Sequence, residues 1–265
     1  MDNTKKARVI AFYLPQFHPI PENDRWWGKG FTEWTNVGKA KPLFKGHYQP
    51  RVPADLGYYD LRMPEVREAQ AKMAREAGIE GFCYWHYWFG NGKKLLERPF
   101  QEVLSSGKPD FPFCLGWANH SWTNKSWEAG TKRIKESTLV EMVYNKEEYV
   151  KHFYEVLPAF KDERYIQVDG KPLFLVFRPL EITDPHVFID IWQELAKKSG
   201  LKGIYFVGIA HNMLPQDLTF KNILLKNASD NSAFNYNSVL NAGYDAVNSR
   251  GYNRADYYSR SLIDF

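Results

Sequence analysis

The chain has 265 residues, 44% of them hydrophobic, enough to bury a sizeable core as one barrel or two small domains. Lys and Arg exceed Asp and Glu by only 35 − 31 = 4, and beyond TKKAR at the start the basic residues form only scattered pairs, which argues against nucleic acid. No run approaches the ~18 apolar residues that span a bilayer, and MDNTKKARVIAFYLPQFHPI is too interrupted by Pro15, Gln16 and His18 for a signal peptide, so a cytoplasmic location is expected.

In chain order, RVIAFYL (8–14) reads as a strand and is followed by a long loop to residue 62. MPEVREAQAKMAREAG is an amphipathic helix with Met63, Val66, Ala69, Met73 and Ala77 on one face, Pro64 in its first turn and Gly78 at its end. IEGFCYW (79–85) is the second strand, ERPFQEVLSS a short helix and FPFCLGW (111–117) the third strand. KEEYVKHFYEVLPAF (146–160) is a helix. YIQVDGKPLFLVF (165–177) reads as a hairpin around Asp169-Gly170 that leads into strand four. DPHVFIDIWQELAKKSG (184–200) is a helix capped by Asp184, GIYFVGIA (203–210) is strand five, and GYDAV (243–247) is a sixth. Cys83 and Cys114 lie in apolar strand runs and read as buried thiols of a reducing compartment.

Alternating strands and helices with near-continuous apolar strands predict a parallel sheet covered by helices. Neither G-x-G-x-x-G nor G-x-x-x-x-G-K-[ST] occurs, which disfavours a nucleotide-binding open sheet. The expected fold class is α/β, a TIM-barrel-like (β/α)8 as one domain over 1–265, incomplete towards the C-terminus because only five or six strands are visible. The open edge of such a sheet needs a cover. Residues 234–265 are expected to fold over it, or a second copy to do so as a homodimer.

Aromatic residues make up 16% of the chain and cluster in DRWWGKGFTEWTN, YWHYWFGNG and WANHSWTNKSW, among amides and hydroxyls. Rings that offer flat apolar area beside polar groups that fix orientation suit a sugar. In a barrel the strands' C-terminal ends share one rim. The candidate sugar-binding residues are therefore Gln16, His18, Trp27, Trp34 and Asn36 after strand one, and Tyr84, His86 and Trp88 at strand two. Trp117, Asn119 and Trp122 follow at strand three, Arg178 at strand four and His211 at strand five. Trp34, Trp88 and Trp122 are expected to be partly exposed around one concavity.

YLPQFHPIPENDRWWGKGFTEWTNVGKAKPLFKGHYQPRVPADLGYYDLR (13–62) resembles the opening of the WbsX-type glycosyltransferase family, bacterial polysaccharide-biosynthesis proteins also described as glycoside hydrolase family 99-like. The likeness continues through GFCYWHYWFGNGKKLLERPFQEVL, PDFPFCLGWAN and GKPLFLVFRP. The resemblance implies a barrel of endo-α-mannosidase type and action on a glycan or sugar donor in lipopolysaccharide O-antigen or capsule assembly. Where the family usually reads WANE.W this chain has WANHSW, with His120 in place of an acid, and the family normally continues past the equivalent of Phe265.

Glycosyl transfer and hydrolysis both need an acid for the leaving oxygen and a base or nucleophile opposite, with carboxyl separations of ~5–5.5 Å or ~6.5–9.5 Å marking retention or inversion. Glu33, Asp55, Asp60 and Glu181 are the acids expected at strand-end loops. Glu33, between Phe31 and Trp34, is the expected general acid, because partial desolvation raises a carboxyl pKa; the alternative for it is an ion pair with a nearby Lys or Arg. His120 can exchange a proton near neutral pH, and Glu181 completes the catalytic set. No cofactor is expected. A second reading gathers His18, His86, His120 and His211 around a zinc ion in a metal-dependent hydrolase or deacetylase. A third is a glycan-binding protein without catalysis.

Overall fold

A computed structural model of the chain describes residues 7–124, 137–211 and 236–250. Its contacts divide the chain into two compact units. The first comprises the chain up to Trp88, with Lys93–Gly116 and Val156–Ile166; the second comprises Phe89–Gly92, Trp117–Glu155 and the chain from Gln167.

The first unit runs β1 (Ile10–Tyr13), α1 (Pro21–Trp27), α2 (Glu33–Lys39), α3 (Pro64–Glu76), β2 (Gly81–Gly90), β3 (Lys93–Leu95), α4 (Arg98–Ser106) and β4 (Phe113–Trp117). β1 and β2 pair in parallel from Ile10↔Gly81 to Tyr13↔Tyr84, β4 lies on the other side of β2, and β3 folds back onto β2. Every β2 residue but His86 is buried, as a parallel strand covered on both faces requires. Gly81 has no substitute here, because a Cβ at that position would sit 2.4 Å from the Pro112 carbonyl oxygen. The loop expected after strand one holds two short helices, each shorter than a periodicity argument can register. α3 forms where predicted but turns a different face inward. Arg67, Ala71 and Ala74 are buried, while Met63 and Met73 are about half exposed. The reason is the buried Arg67, whose guanidinium donates to the Leu61 carbonyl oxygen at 2.6 Å and pairs with Glu102 at 2.9 Å. An arginine anchored in this way, with Ala71 and Ala74 buried beside it, lets α3 lie close to its neighbours, and the methionines take the outside. Cys83 on β2 and Cys114 on β4 are free, buried and linked by a thiol hydrogen bond; burial pushes the Cys83 thiol well above its usual range.

The second unit runs β5 (Trp122–Thr123), β6 (Thr138–Val140), α5 (Lys146–Phe160, whose last residues belong to the first unit), β7 (Gln167–Val168), β8 (Lys171–Val176), a 3₁₀ turn (Pro179–Glu181), α6 (Pro185–Lys198), β9 (Tyr205–His211), α7 (Tyr236–Asn241) and β10 (Ala246–Arg250). The predicted hairpin is β7–β8. Asp169 and Gly170 both adopt positive φ, 53° and 76°, the pairing that matches the twist of a two-residue turn. Asp184 caps α6 by accepting from the Val187 amide at 3.1 Å, with Pro185 in the first turn. Phe174, Phe188, Trp192 and Phe206 form a fully buried aromatic core, and the Trp192 indole donates to the Tyr149 carbonyl oxygen at 2.9 Å.

β8, β9 and β10 are parallel neighbours, which makes GYDAV part of a further β-α-β element. Residues 236–250 thus extend the sheet where they were expected to cover its edge; 251–265 lie outside the described residues. The fold is α/β with parallel strands in each unit. Closure of a complete (β/α)8 barrel is not shown by the described residues. No helix among them is long and apolar enough to cross a membrane.

Candidate active site

Glu33 opens α2. A reciprocal cap fixes that turn: the Thr32 hydroxyl accepts from the Trp34 amide at 3.2 Å, and Thr35 Oγ1 accepts from the Thr32 amide at 3.3 Å. A helix N-terminus favours the carboxylate, but burial outweighs it and holds the Glu33 pKa above its ordinary value, against a hydrogen bond with Asn36 that pulls it down. Among the described residues Glu33 has no Lys or Arg partner, so the ion-pair alternative is not what forms. Close by, Gln16 Nε2 donates to Tyr87 Oη at 2.8 Å, and burial followed by the Glu33 charge pushes the Tyr87 phenol upward. The first unit therefore gathers Gln16, Glu33, Asn36 and Tyr87 into one polar group. Tyr87 was not among the sequence candidates, although its neighbours Tyr84, His86 and Trp88 in the same stretch were.

Trp34 is half-buried against Phe17 and Tyr59, with ring centroids at 4.7 and 5.0 Å, and its indole donates to the Tyr59 carbonyl oxygen at 2.8 Å. Trp27, also half-buried, lies 6.0 Å from Phe31. The strand-two candidates need correction, because β2 runs on to Gly90 through residues expected to be loop and is buried along its length apart from His86. Tyr84 and Trp88, at 2% and 5% exposure, are core residues. Trp88→Ala is therefore expected to cost about 3–5 kcal/mol of stability, seen as a lower denaturation midpoint, whereas a surface stacking platform would leave the midpoint in place.

His18 is 1% exposed, near the Pro15 carbonyl and the Asp60–Arg62 pair, and burial lowers its pKa. His86 is pushed down to about 3 by burial, with Lys94 adding to the shift. Both imidazoles fold neutral, so unfolding takes up protons below the unfolded value near 6.5. For His86, stability should fall by up to about 1.4 kcal/mol per pH unit as pH drops from about 6.5 to 4.5, and His18 should add to the fall in the same direction. Ion-paired carboxylates such as Glu102, held low by Arg98, lose their contribution only at lower pH. Denaturant midpoints at pH 7, 6 and 5 test this; the slope should flatten in His86→Gln.

The second unit organises itself around Asn119, which is fully buried. Its Oδ1 accepts from the Arg178 amide at 2.7 Å, its Nδ2 donates to the Arg178 carbonyl oxygen at 2.9 Å, and Tyr144 Oη meets Nδ2 at 3.1 Å. Tyr144 Oη in turn donates to the Asn119 carbonyl oxygen at 2.7 Å. Asn119 is thus a clamp that sets the Arg178 backbone, not a group that faces solvent. Trp117, 1% exposed, packs on Tyr144, His152 and Phe188 and is a core residue too. His120 is half-buried, its ring 5.3 Å from Phe177, and Trp122 is half-buried against Phe89. Arg178 and Glu181 form an exposed ion pair. Tyr144, which no sequence pattern signals, is pushed upward by burial, with a smaller contribution from the Glu181 charge. His211 closes β9, and its side chain lies outside the described residues. Among the described residues no three His, Cys, Asp or Glu side chains come together in a way that could hold a metal ion.

The family described as Glycosyltransferase WbsX matches residues 9–261. Two strains of Xanthomonas campestris pv. campestris carry a protein, WxcX, that is 41% identical over 205 residues, 77% of this chain. The chain spans 29% of the length of those relatives. Among solved structures, the GH99 endo-α-mannosidase of Bacteroides thetaiotaomicron is similar with a TM-score of 0.46 and 14% identity, over 76% of this chain and 52% of that one. A match over nearly all of the sequence settles the affiliation: the chain belongs to the WbsX glycosyltransferase family.

Proposed function

We propose that this protein is a glycan-active enzyme that makes or breaks glycosidic bonds in the assembly of a bacterial cell-surface polysaccharide, acting in the cytoplasm. The observation that carries the reading is Glu33, half-buried among Trp34 and Tyr87, unpaired with any cation among the described residues, and with a pKa raised by burial. A carboxyl whose protonated form is favoured by burial can deliver a proton to a leaving glycosidic oxygen, which is the step that transfer and hydrolysis share. Gln16 and Asn36 supply amides for sugar hydroxyls, and Trp34 supplies a ring face. His120 and Glu181 are the proposed remaining acid–base groups, and Arg178 pairs with Glu181. The parallel β-α elements of both units support reading them as parts of a TIM-type barrel. Family membership supports sugar chemistry in general; the sugar and linkage are chosen by side chains, not by the family.

The test is incubation of the chain with oligosaccharides alone, and with sugar donors plus acceptors, following new reducing ends and elongated products separately. Either product supports the reading. Glycan binding without either product would instead make this a binding protein, and recovery of activity only on adding zinc would move the metal-dependent reading ahead.

A further inference from the structure

The segment after α2, residues 39–52, has a composition unlike its surroundings. It contains Lys39, Lys41, Lys45 and Arg51, and no acidic residue lies between Glu33 and Asp55. It also displays large apolar side chains to solvent: Leu43 is 75% exposed, Phe44 68%, Tyr48 62% and Val52 64%. Isolated exposed apolar residues are ordinary, but four within ten positions form a patch that water alone does not favour.

The loop's shape comes from its own contacts. The His47 amide donates to the Phe44 carbonyl oxygen at 3.1 Å, the Leu43 amide donates to His47 Nδ1 at 3.1 Å, and the His47 ring stacks on Phe44 at 4.6 Å. Arg51 sits 5.7 Å over the Tyr48 ring. A turn built this way holds Leu43 and Phe44 outward with lysines on both sides. Each of the four basic side chains is exposed.

We infer that residues 39–52 form a membrane-contact loop that seats this chain on an anionic lipid surface. Lysines and arginine lie beside lipid phosphates while Leu43 and Phe44 enter the interface, the two-signal logic by which peripheral proteins gain hold. A glycan is the competing occupant, but sugar recognition needs amides and carboxylates for hydroxyl groups, and the segment offers Gln49 alone. Leu43 and Val52 suit acyl chains. The inference stands apart from the proposed chemistry, and its readout requires no turnover.

The experiment is co-sedimentation of the 265-residue chain with vesicles of phosphatidylglycerol and phosphatidylcholine in equal parts, and with phosphatidylcholine alone. Binding to the anionic vesicles, weakened by salt and much lower on the neutral ones, is expected. Lys41→Glu/Lys45→Glu should weaken it about tenfold or more, and Leu43→Ser/Phe44→Ser should weaken it comparably at low salt. These side chains are exposed, so both variants should melt like the parent. If either does not, Lys41→Gln/Lys45→Gln replaces the charge variant and Phe44→Tyr the apolar one. The inference would be overturned by no binding to anionic vesicles, binding indifferent to lipid charge, binding unchanged in both variants, or capture by an acidic polysaccharide with none by vesicles. Self-association that Phe44→Ser abolishes, with vesicle binding absent, would overturn it in favour of a second copy.

Discussion

Replacing Glu33 by Gln should lower glycan turnover by about 10²–10⁴-fold, the usual worth of a positioned proton donor, while leaving the fold intact. The pH dependence distinguishes this from a generic loss. A general acid works protonated, so the parent's kcat/KM should fall as pH rises through the raised Glu33 value, and in Glu33→Gln that alkaline limb should disappear. The substitution should act on stability in the opposite sense to its effect on turnover. A carboxyl whose folded pKa lies above its unfolded one contributes stability below the unfolded value and loses it as pH rises through the folded value. At neutral pH the parent therefore holds an unfavourably buried charge that Gln lacks. Glu33→Gln should melt no lower than the parent at pH 7, with the difference closing towards pH 4. Undiminished turnover in Glu33→Gln would remove it from the chemistry.

Asn119→Ala should lower stability by about 1–3 kcal/mol, because it strands the part-buried Arg178 amide and carbonyl without their partners. Asn119→Asp should not rescue it. The carboxylate can accept from the Arg178 amide but has nothing to donate to the Arg178 carbonyl, and it adds a buried charge. Urea midpoints decide the matter. A substrate-contacting amide would leave the midpoint unchanged and raise KM alone.

Much of the framework was legible in the sequence because its signals are local. The Asp169-Gly170 turn, the Asp184 cap and the apolar runs of β2 and β4 each declare themselves within a few residues. Burial of Arg67 was not legible, since it depends on the Leu61 carbonyl and on Glu102, 35 residues away from it. Glu33 was legible as a carboxyl among aromatic rings, and the burial that raises its pKa follows from that neighbourhood. The site residues that were misplaced, Tyr84, Trp88, Trp117 and Asn119, share one cause: aromatic and amide side chains at a strand's end look alike whether they face a ligand or the core, and only the extra length of β2 and the Arg178 clamp decide which. α1 and α2 were hidden because seven residues are too few for a helical period to show.

The paired thiols of β2 and β4 give the first unit a reporter of its own integrity. Thiolates, not thiols, react with alkylating reagents; both sulfurs are shut from solvent, and burial opposes proton loss from Cys83. Their labelling therefore waits on separation of the two strands, so the rate at which a reagent is taken up under native conditions measures how often this part of the sheet opens. No such pair exists in the second unit, because Cys83 and Cys114 are the chain's only cysteines. A single mass measurement would follow the breathing of one half of the molecule while remaining blind to the other.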